Sequence, residues 1–351
     1  MTWNTKLYTV KLNMPEGLRY SKDLRLDEIR GFLIINPYGK DYDKYIEPGL
    51  LYFMKDIDEL KRGLGVNKIA PMGLFIMGIY GGEEKKGQPK YAGLVLEQYS
   101  IDRAVFRFKL FNTKDELIVP LDLMERYGVS IYKMVYMGGI NPFRLDKYIN
   151  ILLSRRGGQS LKQFLKDALD LNSRKISENT QKNVEGLINE LKQPDSIKTL
   201  NPNKYYVVYR RHSAFTACVI KPEGDNVLAE SHVSYVECNN EDMVYYYSAV
   251  LNYLAFKLIE LKRGFNRQQF ARPLLVVLIA GLSWNDLDEG TRRDVAELSR
   301  TLHSKVPREE YGNQRVALKV ISELNEFRKL KSILDSKVDK ERLEEALKLV
   351  T

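Results

Sequence analysis

The chain has 351 residues, of which 44% are hydrophobic and 29% are charged, which indicates a globular protein too long for one ordinary hydrophobic core. No apolar run approaches the roughly 18 residues of a membrane span, and the N-terminus lacks the pattern of a signal peptide. The formal net charge of +9 favours a polyanionic partner, most simply nucleic acid, with an ordinary basic protein as the alternative.

Residues 1–142 are predicted to form a β-rich domain, either a small barrel or a curled sheet. Short apolar or alternating runs recur there, with turn signals between them. The expected strands are residues 7–12, 32–35, 72–80, 91–98, 104–111 and 116–120. One short helix is expected near residues 55–62.

Residues 143–192 change to a helical pattern. The predicted helices are residues 145–153, 161–171 and 180–191, and the last has its apolar side chains on one stripe. Pro194 and Pro202 then bracket a predicted linker at residues 193–203.

Residues 204–305 are predicted to form a mixed α/β domain, and residues 306–351 a helical tail. The expected strands are residues 204–212, 214–221 and 227–237. The expected helices, besides the central one, are residues 288–304, 315–334 and 340–350. The predicted fold class of the whole chain is therefore α+β.

Residues 239–282 organise this second half. Asn240 can cap a helix whose first turn is acidic, as the helix dipole favours. The apolar side chains recur at helical spacing, and the basic last turn is expected to end at Gly264. After a short basic loop, an apolar run from Pro273 to Leu282 is long enough for one buried element. The loop is thus expected to lie between two core elements, as recognition loops often do.

Several segments of this half follow one another in a recognisable order, namely Tyr205–Arg211, Phe215–Ile220, Tyr246–Asn252, Phe270–Leu274 and Val295–Ser299. Together they resemble the TaqI-like C-terminal specificity domain of adenine-specific DNA methyltransferases, over about residues 204–305. The resemblance implies a strand pair, a tyrosine-rich helix, a basic or aromatic loop, an apolar strand and a further helix. It also implies a domain that reads a DNA target sequence and helps to hold the duplex open around a flipped adenine.

The motifs of methyltransferase catalysis do not accompany this pattern. That family needs a glycine-rich loop for S-adenosylmethionine and an (Asn/Asp)-Pro-Pro-(Tyr/Phe) tetrad that grips the flipped adenine. Asn36–Tyr38 is one proline short and is interpreted as a turn, and Gly63–Gly65 follows a charged helix rather than a strand. No cofactor is therefore expected. The chain resembles a specificity module joined to a different N-terminal domain, without its methyltransferase.

Two basic segments are the predicted DNA contacts. Arginine can pair with guanine, glutamine or asparagine can pair with adenine, and phenylalanine can wedge between bases. The predicted base-reading loop holds Arg263, Asn266, Arg267, Gln268, Gln269, Phe270 and Arg272. The predicted phosphate contacts are Arg210, Arg211 and His212, at the end of a strand. The alternative for both segments is ordinary solvated charge, with the loop phenylalanines in the core.

Duplex DNA binding for target recognition is the first hypothesis, in a restriction–modification or defence setting. A methyltransferase, nuclease or other defence-system partner would supply the chemistry. The second hypothesis is a metal-dependent nuclease with scattered carboxylates in the N-terminal half, and the third is a non-catalytic protein-interaction scaffold. No metal-ligand or catalytic motif stands out, so the sequence leaves open whether the chain is an enzyme. Two cysteines cannot form a disulfide framework, which favours a protein of the reducing cytoplasm. Without a long apolar run, no membrane partner is expected. Scarce Cys and His beside abundant Lys, Glu and Tyr favour a thermophile such as an archaeon.

Overall fold

The computed structural model describes residues 33–34, 53–54, 57–70, 93–111, 113–191, 193, 197–211, 214–230, 232–238, 240–265, 271–307 and 313–351. Within these ranges the chain is a mixed α+β protein, as the sequence predicts. Among their helices, none combines the length and the apolar character that crossing a bilayer requires.

Most strands of the described chain are short. In chain order they are β1 (Leu33–Ile34), β2 (Phe53–Met54), β3 (Lys68–Ala70), β4 (Leu94–Asp102), β5 (Val105–Leu110), β6 (Leu117–Pro120), β7 (Val129–Val135), β8 (Ile140–Asn141), β9 (Arg144–Leu145), β10 (Ile149–Ser154), β11 (Tyr206–Arg210), β12 (Ala217–Ile220), β13 (Val227–Ala229) and β14 (Val233–Glu237). The helices are α1 (Ile57–Leu64), α2 (Leu121–Tyr127), α3 (Gly158–Asn172), α4 (Glu178–Glu190), α5 (Glu241–Glu260), α6 (Arg272–Ile279), α7 (Glu289–Lys305), α8 (Gln314–Ser322), α9 (Asn325–Lys337) and α10 (Lys340–Leu347).

Two larger sheets form the β part of the molecule. One has six strands in the order β13-β7-β10-β4-β5-β6, antiparallel except for the β13–β7 pair. Helices α2, α3 and α4 cover one of its faces, where Phe106 and Phe108 pack with Phe164. The other sheet has four antiparallel strands in the order β12-β11-β14-β3. Within the described ranges both sheets are open, so the strands of the β-rich domain form a sheet there and not a barrel.

Both sheets take strands from both sides of the predicted linker. Strand β13 lies beside β7, and β3 lies beside β14. An apolar layer that includes Val135, Tyr206, Val208 and Val227 fills the space between the sheets. The two halves of the sequence therefore share one buried layer, and the domain boundaries remain a prediction.

Helix α5 is the centre of the largest core. The predicted cap is confirmed, because Asn240 Oδ1 accepts a hydrogen bond from Met243 N at 2.8 Å. The helix is buried on nearly every side, so its polar side chains need partners inside the protein. Tyr246 Oη donates to Leu282 O at 2.8 Å, and Tyr247 Oη donates to the carbonyl oxygen of Leu64.

Asn252 joins this helix to the four-stranded sheet. Ala217 N donates to Asn252 Oδ1 at 3.0 Å, and Asn252 Nδ2 donates to Ala217 O at 2.8 Å. Both residues are fully buried. At this outer edge of the sheet Phe143 N also donates to Ala217 O, at 2.8 Å, while the amide supplies the acceptor for Ala217 N and fixes β12 against α5.

Several predicted elements are confirmed. The expected helices at 55–62, 161–171, 180–191 and 288–304 correspond to α1, α3, α4 and α7, and the expected strands at 91–98, 104–111, 116–120, 204–212 and 214–221 correspond to β4, β5, β6, β11 and β12. The final helix at 340–350 corresponds to α10 and a last turn of 3₁₀ helix. The predicted strands at 7–12 and 72–80 and the turn at Asn36–Tyr38 lie outside the described residues.

The helix predicted at residues 145–153 is wrong. The segment contains β9 and β10, and β10 pairs with β7 on one side and with β4 on the other. A central strand that is buried on both faces has a continuous apolar run, as Ile151–Leu153 does, and such a run lacks the alternation that distinguishes a strand from a short helix. Helix α2 and strand β7, just before it, were not predicted.

The strand predicted at 227–237 and the helix predicted at 315–334 each divide in two. Strands β13 and β14 belong to different sheets. Helices α8 and α9 are separate because Leu324 has an extended backbone, with φ −68° and ψ 137°. Neither break contains the glycine or proline that would have marked it in the sequence.

The two ends of the basic loop also differ from expectation. Helix α5 ends at Glu260, and Lys262 rather than Gly264 has a left-handed backbone, with φ 55°. The apolar run from Pro273 forms helix α6, where the resemblance implies a strand. Proline is well tolerated in the first turn of a helix, so Pro273 is compatible with this start.

Replacing Asn252 by alanine should lower the free energy of unfolding by about 2–4 kcal/mol, because Ala217 N loses its acceptor inside the core. Urea denaturation measures this loss. Asn183→Ala, the same change at an exposed position of α4, is the matched control and should not destabilise the protein. Equal effects of the two changes would show that the Asn252 amide does not hold β12.

Candidate nucleic-acid interface

Arg210, the last residue of β11, is half-buried. Burial lowers the pKa of its guanidinium, and the neighbouring Tyr136 acts in the opposite direction. Within the described part of the chain, the buried Arg210 Nε has no hydrogen-bond partner. An unsatisfied buried donor is unfavourable, and an anionic oxygen placed beside it would remove that penalty.

Arg211 is 7% exposed and therefore offers little surface to a ligand in this arrangement. Its backbone nitrogen donates to His232 O at 3.0 Å. The ring of His232 lies 2.5 Å from the buried carboxylate of Glu230, which also accepts a hydrogen bond from Met137 N at 3.0 Å. The next predicted phosphate contact, His212, lies outside the described residues.

The second basic segment is described at its two ends. Arg263 Nη1 donates to Glu344 O at 2.9 Å, and its Nη2 lies 3.6 Å from Glu344 Oε2, so this arginine links the loop to α10. Arg272 is half-buried and is the first residue of α6. The predicted contacts between these ends, Asn266, Arg267, Gln268, Gln269 and Phe270, lie outside the described residues.

The two basic segments meet at a pair of phenylalanines. The rings of Phe215 and Phe265 are 6.1 Å apart and nearly perpendicular. Phe215 belongs to the turn that follows Arg210, and the guanidinium of Arg315 lies 5.2 Å from the centre of the Phe265 ring. Arg315 Nη2 also donates to Arg263 O at 3.4 Å. Segments about 50 residues apart in sequence are therefore brought to one place, and Arg315 joins them.

Arg315 was missed from the sequence because it lies in the helical tail, beyond the region of the resemblance. It is exposed and occupies the first turn of α8, where the helix dipole disfavours a cation. Its stacking on an aromatic ring offsets this penalty, but the ring is supplied by a distant part of the chain. The sequence carries no signal for that contact.

A buried polar network fixes the start of α8 beneath this junction. Thr216 Oγ1 donates to Gln314 Oε1 at 2.9 Å, and Gln314 Nε2 donates to Asn141 Oδ1 at 2.6 Å. Asn141 in turn donates to the carboxylate of Asp146. Because the amide of Gln314 must face inward to complete this chain, Arg315 is directed to the protein surface.

The histidines of the described chain have structural partners. His303 Nε2 accepts a hydrogen bond from Val219 N at 3.0 Å, and its Nδ1 lies 2.7 Å from Ser299 O. Burial lowers the pKa of His303 to about 4, and the bond to Ser299 acts in the opposite direction. The ring is therefore neutral at pH 7 and serves to join α7 to β12.

No group of three or more His, Cys, Asp or Glu side chains in the described part of the chain is arranged to hold a metal ion. Most of residues 1–92, where the nuclease hypothesis places part of its carboxylates, lie outside that part. The nuclease alternative therefore remains a prediction, as does the protein-interaction scaffold.

Comparison with known proteins gives little beyond this geometry. No protein-family model and no curated protein matches the chain. A solved structure of the type IIL restriction–modification enzyme MmeI in complex with DNA matches with 12% sequence identity and a TM-score of 0.35. The match covers 65% of this chain and 31% of the other, so the chain spans about a third of that enzyme. The neighbour is a restriction–modification enzyme, but a TM-score of 0.35 is too low to assign a common fold.

The free energy of unfolding should fall as the pH decreases from about 6.5 to 4. In this range an unfolded His303, with a pKa near 6.5, binds a proton that the folded residue excludes until about pH 4. The loss due to this residue should be about 2–3 kcal/mol by pH 4.5. Urea denaturation at several pH values measures it. A His303→Gln variant cannot take up this proton and should show a shallower decrease, whereas parallel profiles would contradict the assignment.

Proposed function

We propose that this chain is a duplex-DNA-binding protein that recognises a target sequence, with chemistry on the DNA supplied by a partner. The observation that carries the proposal is the meeting of two separately predicted basic segments at the contact between Phe215 and Phe265. Phe215 is fully buried and Phe265 is half-buried against the same core, so the two segments are held at neighbouring positions of one rigid support. The net charge of +9 and the resemblance over residues 204–305 support the same proposal.

The residues of the interface have different proposed roles. Arg210, with its unsatisfied buried Nε, is the proposed phosphate contact at the end of β11, and His212 is the other predicted one. Arg211 is 7% exposed, so a phosphate contact by its side chain would need a change in the turn. Arg267, between the described ends of the loop, is the first candidate for a base contact. Phe265 already packs against Phe215, which leaves Phe270 as the proposed wedge between bases.

Arg263 and Arg272 lie at the base of the loop. Arg263 would have to leave Glu344 to contact a base, so its first proposed role is to hold the loop against α10. Arg272 is the first residue of α6, and its proposed role is a further DNA contact at the end of the loop. A loop that reads bases needs such rigid supports at both ends.

Binding of a labelled random-sequence duplex should weaken steeply as salt increases. The slope of log affinity against log salt should correspond to several released counterions, at roughly 0.9 per phosphate contact. Fluorescence anisotropy across a salt series measures this slope. No binding even at low salt would refute DNA recognition by the isolated chain.

Arg267→Ala and Arg272→Ala should each weaken binding to a preferred duplex by roughly 1–3 kcal/mol if they contact bases. Arg174→Ala, which removes the same charge from an exposed position between α3 and α4, should leave this affinity nearly unchanged. A urea titration of each variant separates lost contacts from lost stability, which matters for the half-buried Arg272. If both loop variants bind like the wild type, the loop does not form the site.

The nuclease and scaffold alternatives can be tested by different assays on the same purified protein. Nicking of plasmid DNA that depends on a divalent metal would favour the nuclease. Negligible DNA affinity at physiological salt together with a stable protein complex would favour the scaffold.

A further inference from the structure

Helix α8 exposes a surface that combines apolar and basic side chains. Val316 and Val320 are 44% and 40% exposed. Arg315 and Lys319, each one residue before a valine, are exposed as well. Valine is a weak helix former, so two exposed valines on a nine-residue helix do not stabilise it. We name these four residues the α8 face.

The orientation of the α8 face is fixed by the side of the helix that packs inward. The fully buried residues of that side are Ala317, Leu318 and Ile321. The amide of Gln314 is held in the polar network with Thr216 and Asn141. Rotation of α8 about its axis would break this packing, so the α8 face is a fixed feature of the surface.

The four side chains form two parallel rows. At 100° per residue, Arg315 and Lys319 lie about 40° apart around the helix. Val316 and Val320 are also about 40° apart, and their row lies about 100° around the helix from the cationic row. The α8 face therefore covers about 140° of the helix surface. A helix with its side chains is about 10–12 Å in diameter, and the major groove of DNA is roughly 12 Å wide.

The charge of the α8 face favours a polyanion. Within the described ranges neither Arg315 nor Lys319 forms an ion pair with an acid, and Arg315 is occupied instead by Phe265 and the carbonyl of Arg263. Glu323, at the end of the helix, is paired with Arg328. The acids that precede the helix, Glu309 and Glu310, lie outside the described residues.

We propose that the α8 face enters the major groove of the duplex beside the basic loop and contributes to the reading of its sequence. The inference rests on the proposed DNA-binding function. The valine row would contact the C5-methyl groups of thymine, which project into that groove, and the cationic row would lie along the phosphates of one strand. Continuity with the loop through Arg315, Phe265 and Arg263 favours DNA over a protein partner as the occupant.

The test begins by selecting a preferred duplex from a random pool with the full chain. The double variant Val316→Ala, Val320→Ala should lose about tenfold in affinity for the selected duplex and keep its affinity for random duplex within about twofold. Leu171→Ala removes an exposed apolar side chain from α3 and is the matched control. Alanine is the better helix former, so the valine changes should not unfold α8.

Replacement of single thymines by uracil in the selected duplex tests the contact directly, because it removes only the C5-methyl group. At the contacted positions this replacement should lower the affinity of the wild type several-fold. The affinity of the double valine variant should be the same for the thymine and the uracil duplex. Such non-additivity is expected when two changes remove the same contact.

Two results would overturn the α8 proposal. If the double valine variant keeps its preference while Arg267→Ala loses it, the loop alone reads the sequence and the proposed function stands. If the wild type self-associates in sedimentation experiments and the double valine variant does not, the α8 face is a contact between copies of the chain. Absence of any DNA binding by the wild type is a different failure, since it removes the proposed function itself.

Discussion

The structure depends on the burial of α5, a helix of 20 residues with polar side chains on an almost completely enclosed surface. Each of these groups must find a partner inside the protein, because an unpaired polar group in a core costs roughly 1–3 kcal/mol. Tyr246, Tyr247 and Asn252 meet this requirement by bonding to backbone groups of three different segments. These bonds have direction, unlike apolar contacts, so they fix where each segment lies along α5. The two segments that frame the candidate interface, the β11–β12 turn and the start of the basic loop, are positioned by the same helix.

Capping residues and hydrophobic periodicity predicted the elements that are determined by neighbouring residues in the sequence. The cap at Asn240, the helices α3 and α4 and the hairpin of β4 and β5 follow from capping residues and periodicity alone. The failures have a common cause, which is that the deciding interaction was made with distant residues. Strand β10 takes its form from neighbours on both sides. The chain leaves one sheet for the other at Glu230, whose carboxylate accepts a hydrogen bond from the distant Met137 N. No window of the sequence contains both partners of such a contact.

The candidate interface was predictable in composition but not in geometry. The basic character of the two segments could be read directly, whereas their meeting at Phe215 and Phe265 could not. The net charge also counts every arginine equally, although arginines differ in how far they are buried. Arg211 is enclosed and Arg263 is paired with Glu344, while Arg315 is exposed and was not among the predicted contacts. The value of an arginine to a polyanion depends on its exposure and on whether an acid already pairs with its guanidinium, which only the folded chain determines.

The helical tail is part of the structure that supports the interface, although the resemblance ends at about residue 305. Tyr253 Oη donates to Asp335 Oδ1 at 2.7 Å, which joins α5 to α9, and Arg263 bonds to Glu344 on α10. Apolar side chains of both helices, Leu330 and Leu343 among them, belong to the same core as α5. The base of the loop therefore has the sheet on one side and the tail on the other. A region cut at residue 305 would lose Arg315, the anchor of Arg263 and a large part of the core beneath them, so the proposed recognition unit extends through α10.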